Sequence, residues 1–381
     1  MIIYHTIEWT DLSVITKIAK FCVADGVSEI HATIELNNVS ANTETQYQLL
    51  QEASQRLSEL LRAEGCCLVW KRFFVSDATN QVQYLKTTEG EALSVVQQPS
   101  LNGFKASLLL YFVENVQLTT EADNIVVMKR PYYELLYNTQ LHERTGDASS
   151  QTRNIFDRYC NSLSQRGCSL AKNCIRTWIF VQNVDIEYGK MVVARRECFE
   201  REGLTPQTHF IASTGIEGRY IYPDVMVLID AYAIANIQPE QICYLHAPTH
   251  LNPTHEYGVT FERGATVDYG DRRHIFISGT ASINNKGEIV HPFDVEKQTA
   301  RTFENVQTLL AEAGASMQHV AHIVIYLRDI ADYAVTNRYI AQHYPDIPSV
   351  ILWAPVCRPG WLVEIECLAI IPAENQQYAK F

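Results

Sequence analysis

One pattern occurs three times along this chain and limits what it can fold into: an amphipathic helix, a glycine, then a strand of β-branched and aromatic residues. The copies read "LLQEASQRLSELLRAEGCCLVWKRFFVSD", "QTRNIFDRYCNSLSQRGCSLAKNCIRTWIFVQN" and "QTARTFENVQTLLAEAGASMQHVAHIVIYLRD". Apolar residues fall at three- and four-residue steps, as on one helical face: Leu50, Ala53, Leu57 and Leu61; Phe156, Tyr159 and Leu163; Phe303, Val306, Leu310 and Ala313. Gly65, Gly167 and Gly314 stand where a residue of positive φ ends each helix. In the second and third copies another helix follows, "YGKMVVARRECFEREG" and "DYAVTNRYIAQHYP", and every copy closes on an apolar strand: "FKASLLLYFVENV", "DVMVLIDAYAIANI" and "WLVEIECLAII". A fixed order of elements at a fixed period marks a repeat architecture. The expectation is an α/β (α+β) protein of three tandem units, spanning 1–122, 123–250 and 251–381. Its mixed sheets would pack around a pseudo-threefold core with helices outside.

With 381 residues and 47% hydrophobic residues, the chain has enough apolar material for several cores. A net charge of −12 argues against a general affinity for nucleic-acid backbones, and no basic aromatic groove is apparent. The first residues, "MIIYHTIEWTDLSVITK", show no basic region followed by an apolar core. No apolar run approaches the roughly 20 residues that span a bilayer. The ten cysteines lack CxxC spacing and read as small core residues. A cytoplasmic protein without membrane or nucleic-acid partners is expected.

The last strand holds the chemically unusual feature. Side chains alternate faces along a strand, so Glu364 and Glu366 share one face of an otherwise apolar segment, while Val363, Ile365 and Cys367 share the other. A carboxylate there is either solvated or held for chemistry.

The third unit resembles the YjgF/Rid family of small trimeric proteins, on "FISGTASI", the helix–strand–helix run from Gln298 to Ile340, and "LVEIECLAII". The resemblance covers residues 261–372 and implies three YjgF/Rid-like (chorismate-mutase-like) units forming an intramolecular pseudo-trimer, with sites in the clefts between units. A narrower resemblance is to the chorismatases, YjgF-like enzymes that remove the enolpyruvyl group of chorismate as pyruvate. It rests on an ordered series: "RTW" at 176–178, "ARRECF" at 194–199, "ASTGIEG" at 212–218, "YGVTFERG" at 257–264, "SGTASI" at 278–283 and "CRPGWLVEIE" at 357–366. Two departures stand out. The chain has "NNKGEIVHP" where chorismatases tend to carry a Val-Gly-His run, and Val350 where Rid imine deaminases carry an arginine.

The resemblance implies a cytoplasmic enzyme of secondary metabolism, a chorismate lyase or hydrolase, with Glu364 as general acid. Its products would be pyruvate and a dihydroxycyclohexadiene acid or a hydroxybenzoate. Chorismate is a dianion with an enol ether, so the site must clamp carboxylates and deliver one proton. Arginine's planar fork matches a carboxylate, and the matching motifs supply Arg195, Arg263 and Arg358. Ser213, Thr214, Thr280 and Ser282 are expected to orient hydroxyls or water, and Cys357 to line the pocket. Glu366 and Arg176 are expected in support, Glu366 by holding a proton on its neighbour. The first unit would be structural. Two rivals are a Rid-like hydrolase or deaminase of a reactive enamine or imine, and a non-catalytic protein that binds a small carboxylate. No cofactor is expected. His246, His250 and His255 lie in a Pro-rich loop without ligand spacing, so no metal site is expected either. The assembly is expected to be a monomer or a low-order homo-oligomer.

Overall fold

The computed structural model describes residues 2–24, 26–85, 90–121 and 125–381. Eighteen strands form three six-stranded sheets. The first sheet contains β1 (Ile2–Trp9), β2 (Val14–Phe21), β3 (Glu29–Leu36), β4 (Cys66–Val75), β5 (Ala92–Gln97) and β6 (Ala106–Glu114). The second contains β7 (Gln117–Glu121), β8 (Ile125–Lys129), β9 (Glu134–His142), β10 (Cys174–Val181), β11 (Ala212–Glu217) and β12 (Val227–Ala235). The third contains β13 (Ile242–Leu245), β14 (Gly264–Asp268), β15 (Arg272–Ala281), β16 (Val320–Leu327), β17 (Ser349–Trp353) and β18 (Val363–Pro372). By position within its unit, each sheet runs first, second, third, sixth, fourth, fifth. In each, only the fourth and fifth strands pair in parallel. The three units therefore share one topology.

The helices form where the periodicity predicts them, over Thr43–Ala63, Ala148–Ser164 and Val295–Glu312, capped by Asn42, Asp147 and Asp294. Gly65, Gly167 and Gly314 follow them at φ of +81°, +69° and +80°. The second and third units add helices Val184–Arg201 and Tyr333–His343, while the described residues of the first hold a one-turn α-helix, Ala78–Gln81, and a 3₁₀ turn, Val82–Tyr84. Each helical face buries against its own sheet and makes one apolar core per unit. A fourth core lies inside the ring of sheets, joining Leu109 and Tyr111 from the first unit, Leu135 and Tyr232 from the second, and Phe276 and Val324 from the third. Both faces of the sheets are thus covered, which is why the central strands β12 and β16 are buried along their whole length and apolar except at Asp230 and His322.

Sheet pairing changes unit earlier than the expected boundaries at 122 and 250. The strand β7, "QLTTE", already pairs in the second sheet and β13, "ICYL", in the third. Both are short edge strands, and β7 is polar and exposed, so neither carries the alternation of a half-buried strand. Beyond β15 the chain turns back on itself: the Gly287 amide donates to the Asn284 carbonyl, the Val290 amide donates to the Ser282 carbonyl, and Ile283 bridges to Ile289.

Buried ion pairs join the units across the central core. Arg72 of the first pairs with Asp230 of the second at 2.7 Å, Arg176 of the second with Glu366 of the third at 2.7 Å, and Arg272 of the third with Glu29 of the first at 2.6 Å. Arg72 also lies over the rings of Trp70, Trp178 and Phe180 at 4.7, 4.9 and 5.1 Å. Removing one member leaves its partner charged and desolvated. Arg72→Met is therefore expected to lower the unfolding free energy by about 3–5 kcal/mol, measured by denaturant titration.

Candidate active site

The cleft between the second and third units is built from the helix Val184–Arg201, β11, the loop 252–263, the end of β15, the loop 354–362 and β18. Tyr188, Arg195, Ser213, Tyr257, Arg263, Cys357, Arg358, Trp361 and Glu364 all line it. A bulge in β15, where Ser278 and Gly279 together oppose Glu366, sets its floor. A β-carbon on Gly279 would clash with the Glu364 carboxyl and displace it. Its glycine leaves the space that the carboxyl fills.

The two glutamates have different surroundings. Glu366 accepts hydrogen bonds from Arg176 Nη2 at 2.7 Å, Trp178 Nε1 at 2.9 Å and the Thr214 hydroxyl. Thr214 in turn accepts from Arg176 Nη2 at 2.6 Å and from the Gly279 amide at 2.9 Å. Glu364 is 4% exposed and makes no hydrogen bond among the described residues. Burial first, and then the negative charge of Glu366, push its pKa up to about 8, against the opposing pull of Arg176 and Arg263. Near neutral pH Glu364 therefore holds a proton, facing the cleft.

Three arginines converge on the same space. Arg195 is the inward member of its adjacent arginine pair; its Nε donates to Thr260 Oγ1 at 3.2 Å, while its buried Nη2 has no hydrogen-bond partner among the described residues. Arg263 donates from Nε and Nη2 to the Asn252 carbonyl at 3.3 and 2.9 Å, and its guanidinium lies 5.4 Å from the centres of the Tyr257 and Phe261 rings. Arg358 stands at the half-open side. None of the three forms an ion pair among the described residues. Arginines held without counter-ions around a buried, protonated carboxyl make a site for an anion.

Burial, and then the charge of Glu364, push the Cys357 thiol up to about 12, and it lines the cleft together with Tyr188. It is a wall of the cleft and not a nucleophile at neutral pH. Iodoacetamide at pH 7 is expected to label the exposed Cys67 and Cys243 and to leave Cys357 unmodified in the folded protein, as read by peptide mass mapping.

The structure corrects part of the expected site. Thr280 and Ser282 face away from the cleft: Thr280 donates to the Ser278 carbonyl at 2.9 Å and Ser282 to that of Val290 at 2.7 Å. The β15 bulge sets the alternation so that Gly279 and Ala281 line the cleft instead. Thr214 lies behind the wall, against Glu366 and Arg176, while its neighbour Ser213 lines the cleft. Tyr188, Gly215, Tyr257, Phe261 and Trp361 were not singled out, although three of them belong to the quoted motifs "YGVTFERG" and "CRPGW". The histidine-rich stretch is held by acids, His250 by Glu304 at 3.2 Å and His246 near Glu262 at 3.6 Å, and it leads into the loop that carries Tyr257 over the cleft. Val350 is buried in the central core and brings no charge to a cleft. In this state the cleft encloses about 20 Å³, room for a water. A ring-sized ligand requires the loops carrying Tyr257 and Trp361 to move outward.

Comparison with known proteins places this arrangement. Residues 265–371 match the family model described as Endoribonuclease L-PSP. A RutC family protein of Pyrococcus abyssi is 34% identical over 98 residues, 25% of this chain and 76% of that protein. The chain belongs to the YjgF/Rid family. Within it, the 3-aminoacrylate deaminase RutC of Acinetobacter baylyi is 30% identical over 97 residues, covering 25% of this chain and 77% of the relative. Both alignments account for about one unit of this three-unit YjgF/Rid protein. A crystal structure of a chorismatase matches the architecture over 79% of this chain and 92% of the other, with a TM-score of 0.63 and 18% identity. Three fused YjgF/Rid units are therefore the fold of this protein.

Proposed function

We propose that the cleft removes the enolpyruvyl group of chorismate as pyruvate. The observation that carries this reading is the convergence of Arg195, Arg263 and Arg358, none of them ion-paired among the described residues, on a carboxyl that is protonated near neutral pH. That combination suits a dianion that must be protonated on carbon. Likeness of fold to a chorismatase and the ordered motifs support the choice of substrate.

In the proposed reaction, the arginines hold the two carboxylates. Glu364 gives its proton to the enolpyruvyl methylene carbon and leaves an oxocarbenium ion at the ether carbon. Water adds there, and its proton returns to the Glu364 carboxylate. The resulting hemiketal breaks its bond to the ring oxygen, releasing pyruvate and a ring alcohol, so that one water is consumed. Glu366, held by Arg176, Trp178 and Thr214, keeps a negative charge beside the acid and makes it easier for Glu364 to recover its proton.

A second reading is favoured by the identity with 3-aminoacrylate deaminase: hydrolysis of an enamine, which is likewise protonated on carbon. The two part in a direct assay. Incubation with chorismate, with pyruvate reduced in a coupled assay and the co-product weighed by mass spectrometry, is expected to show catalysed release. Ammonia from 3-aminoacrylate with no pyruvate from chorismate would replace the first reading by the second. Tight binding of chorismate with neither product would leave a carboxylate-binding protein.

A further inference from the structure

The cleft between the third and first units is the counterpart of the candidate active site, and its charges have been rearranged. Strand pairing gives the correspondence. In β17, Ser349 and Ile351 hold the places that Ser213 and Gly215 hold in β11, and both pairs line their clefts. Ser107 of β6 holds the place of Glu364, since Phe74 pairs with Ser107 as Tyr326 pairs with Glu364. The carboxyl has crossed the ladder. Glu35 of β3 is one residue beyond the Ile34–Leu108 pair, opposite Ser107, where the third unit has Ala281 opposite Glu364.

This second cleft encloses about 90 Å³, several times the roughly 10–15 Å³ that one water needs. Lys17, Glu35, Asn102, Asn337 and Ser349 supply its polar lining, and Ile340 with Ile351 its apolar side. Glu35 accepts two hydrogen bonds, from Asn102 Nδ2 at 2.9 Å and Ser107 Oγ at 3.1 Å, and both fall on Oε1. Its Oε2 has no hydrogen bond among the described residues. The Lys17 ammonium donates to the Pro345 carbonyl at 2.6 Å, which leaves two of its hydrogens unused among the described residues. Lys17 and Glu35 do not form an ion pair with each other; the other acid acting on Lys17 is the exposed Asp346. An ammonium and a carboxylate thus line one cavity, each with spare hydrogen-bonding capacity.

We infer that this second cleft binds a small zwitterionic α-amino acid, its carboxylate on Lys17 and its ammonium on Oε2 of Glu35. A purely anionic ligand would meet Glu35, and a purely cationic one would meet Lys17. A ligand bearing both charges a few bonds apart satisfies each side, with a compact side chain against Ile340 and Ile351. The site is chemically distinct from the arginine-lined cleft and does not depend on what that cleft catalyses.

Ligand-observed NMR with L-alanine at millimolar concentration tests it, with propionate and ethylamine as probes that each lack one charge. The expected result is saturation transfer to L-alanine in the wild type and in Glu364→Gln, and its loss in Glu35→Gln and Lys17→Met. Propionate and ethylamine should show little. Asn337→Leu, a change at an exposed position on the cleft rim, is expected to weaken the signal and carries the test if the buried variants fail to fold. Any of three results overturns the inference: no transfer to L-alanine in the folded wild type, transfer that survives in folded Glu35→Gln or is unchanged in Asn337→Leu, or transfer lost in Glu364→Gln instead.

Discussion

Glu364→Gln is expected to slow pyruvate release from chorismate by about 10²–10⁴-fold, the usual worth of a positioned acid, while leaving chorismate affinity within a few-fold of the wild type. The reason is the state of the native side chain. Burial and the charge of Glu366 keep a proton on Glu364 near neutral pH, so the neutral amide is close to it in shape and charge and lacks only the transferable proton. Isothermal titration calorimetry with the variant separates binding from turnover. The same raised pKa predicts a stability difference. Stability linked to the Glu364 proton is fully present below the unfolded-state value and is lost as pH rises through about 8. The variant has no such proton to lose, so its melting temperature should exceed that of the wild type at pH 9, and the gap should narrow steadily as the pH falls toward the unfolded-state value of 4.5. A variant that turns over normally, or one that no longer binds chorismate, would remove Glu364 from the role of acid.

Arg195→Met is expected to act in opposite directions on activity and stability. Among the described residues Arg195 is buried, its Nη2 has no hydrogen-bond partner and no carboxylate pairs with it, so only the bond to Thr260 and the Phe199 ring, 5.8 Å from its guanidinium, offset its desolvation. Methionine fills similar space without that cost, and the melting temperature should rise. Truncating a buried charge partner of the substrate's carboxylate costs roughly 2–5 kcal/mol in binding, so kcat/KM should fall by about 30-fold or more. Sites that store unpaired charge for a ligand characteristically trade stability for function. If activity and stability fall together, Arg195 is a structural residue.

How far the sequence foretold this molecule depended on how local each signal was. The helix faces through Leu50, Phe156 and Phe303, and the glycines that end those helices, are local and recur, so three units were legible without any tertiary information. Edge strands such as Gln117–Glu121 have neither apolar alternation nor length, and the unit boundaries were placed too late by their omission. Glu364 could be singled out because a carboxylate on an apolar strand is conspicuous. The error at Thr280 and Ser282 came from the bulge at Ser278 and Gly279, which sets the register of alternation and cannot be counted from composition. Tyr188, Tyr257 and Trp361 reach the cleft from a helix and two loops, and no local pattern joins them. Nor does any local pattern pair Arg72 with Asp230 across two units.

The most direct test of the central claim, that a buried and protonated Glu364 drives pyruvate release, is the pH dependence of kcat/KM for that reaction. A general acid must hold its proton, so the rate is expected to stay level to about pH 8 and then to fall tenfold per pH unit. A rate that holds steady or climbs through pH 9 would contradict it.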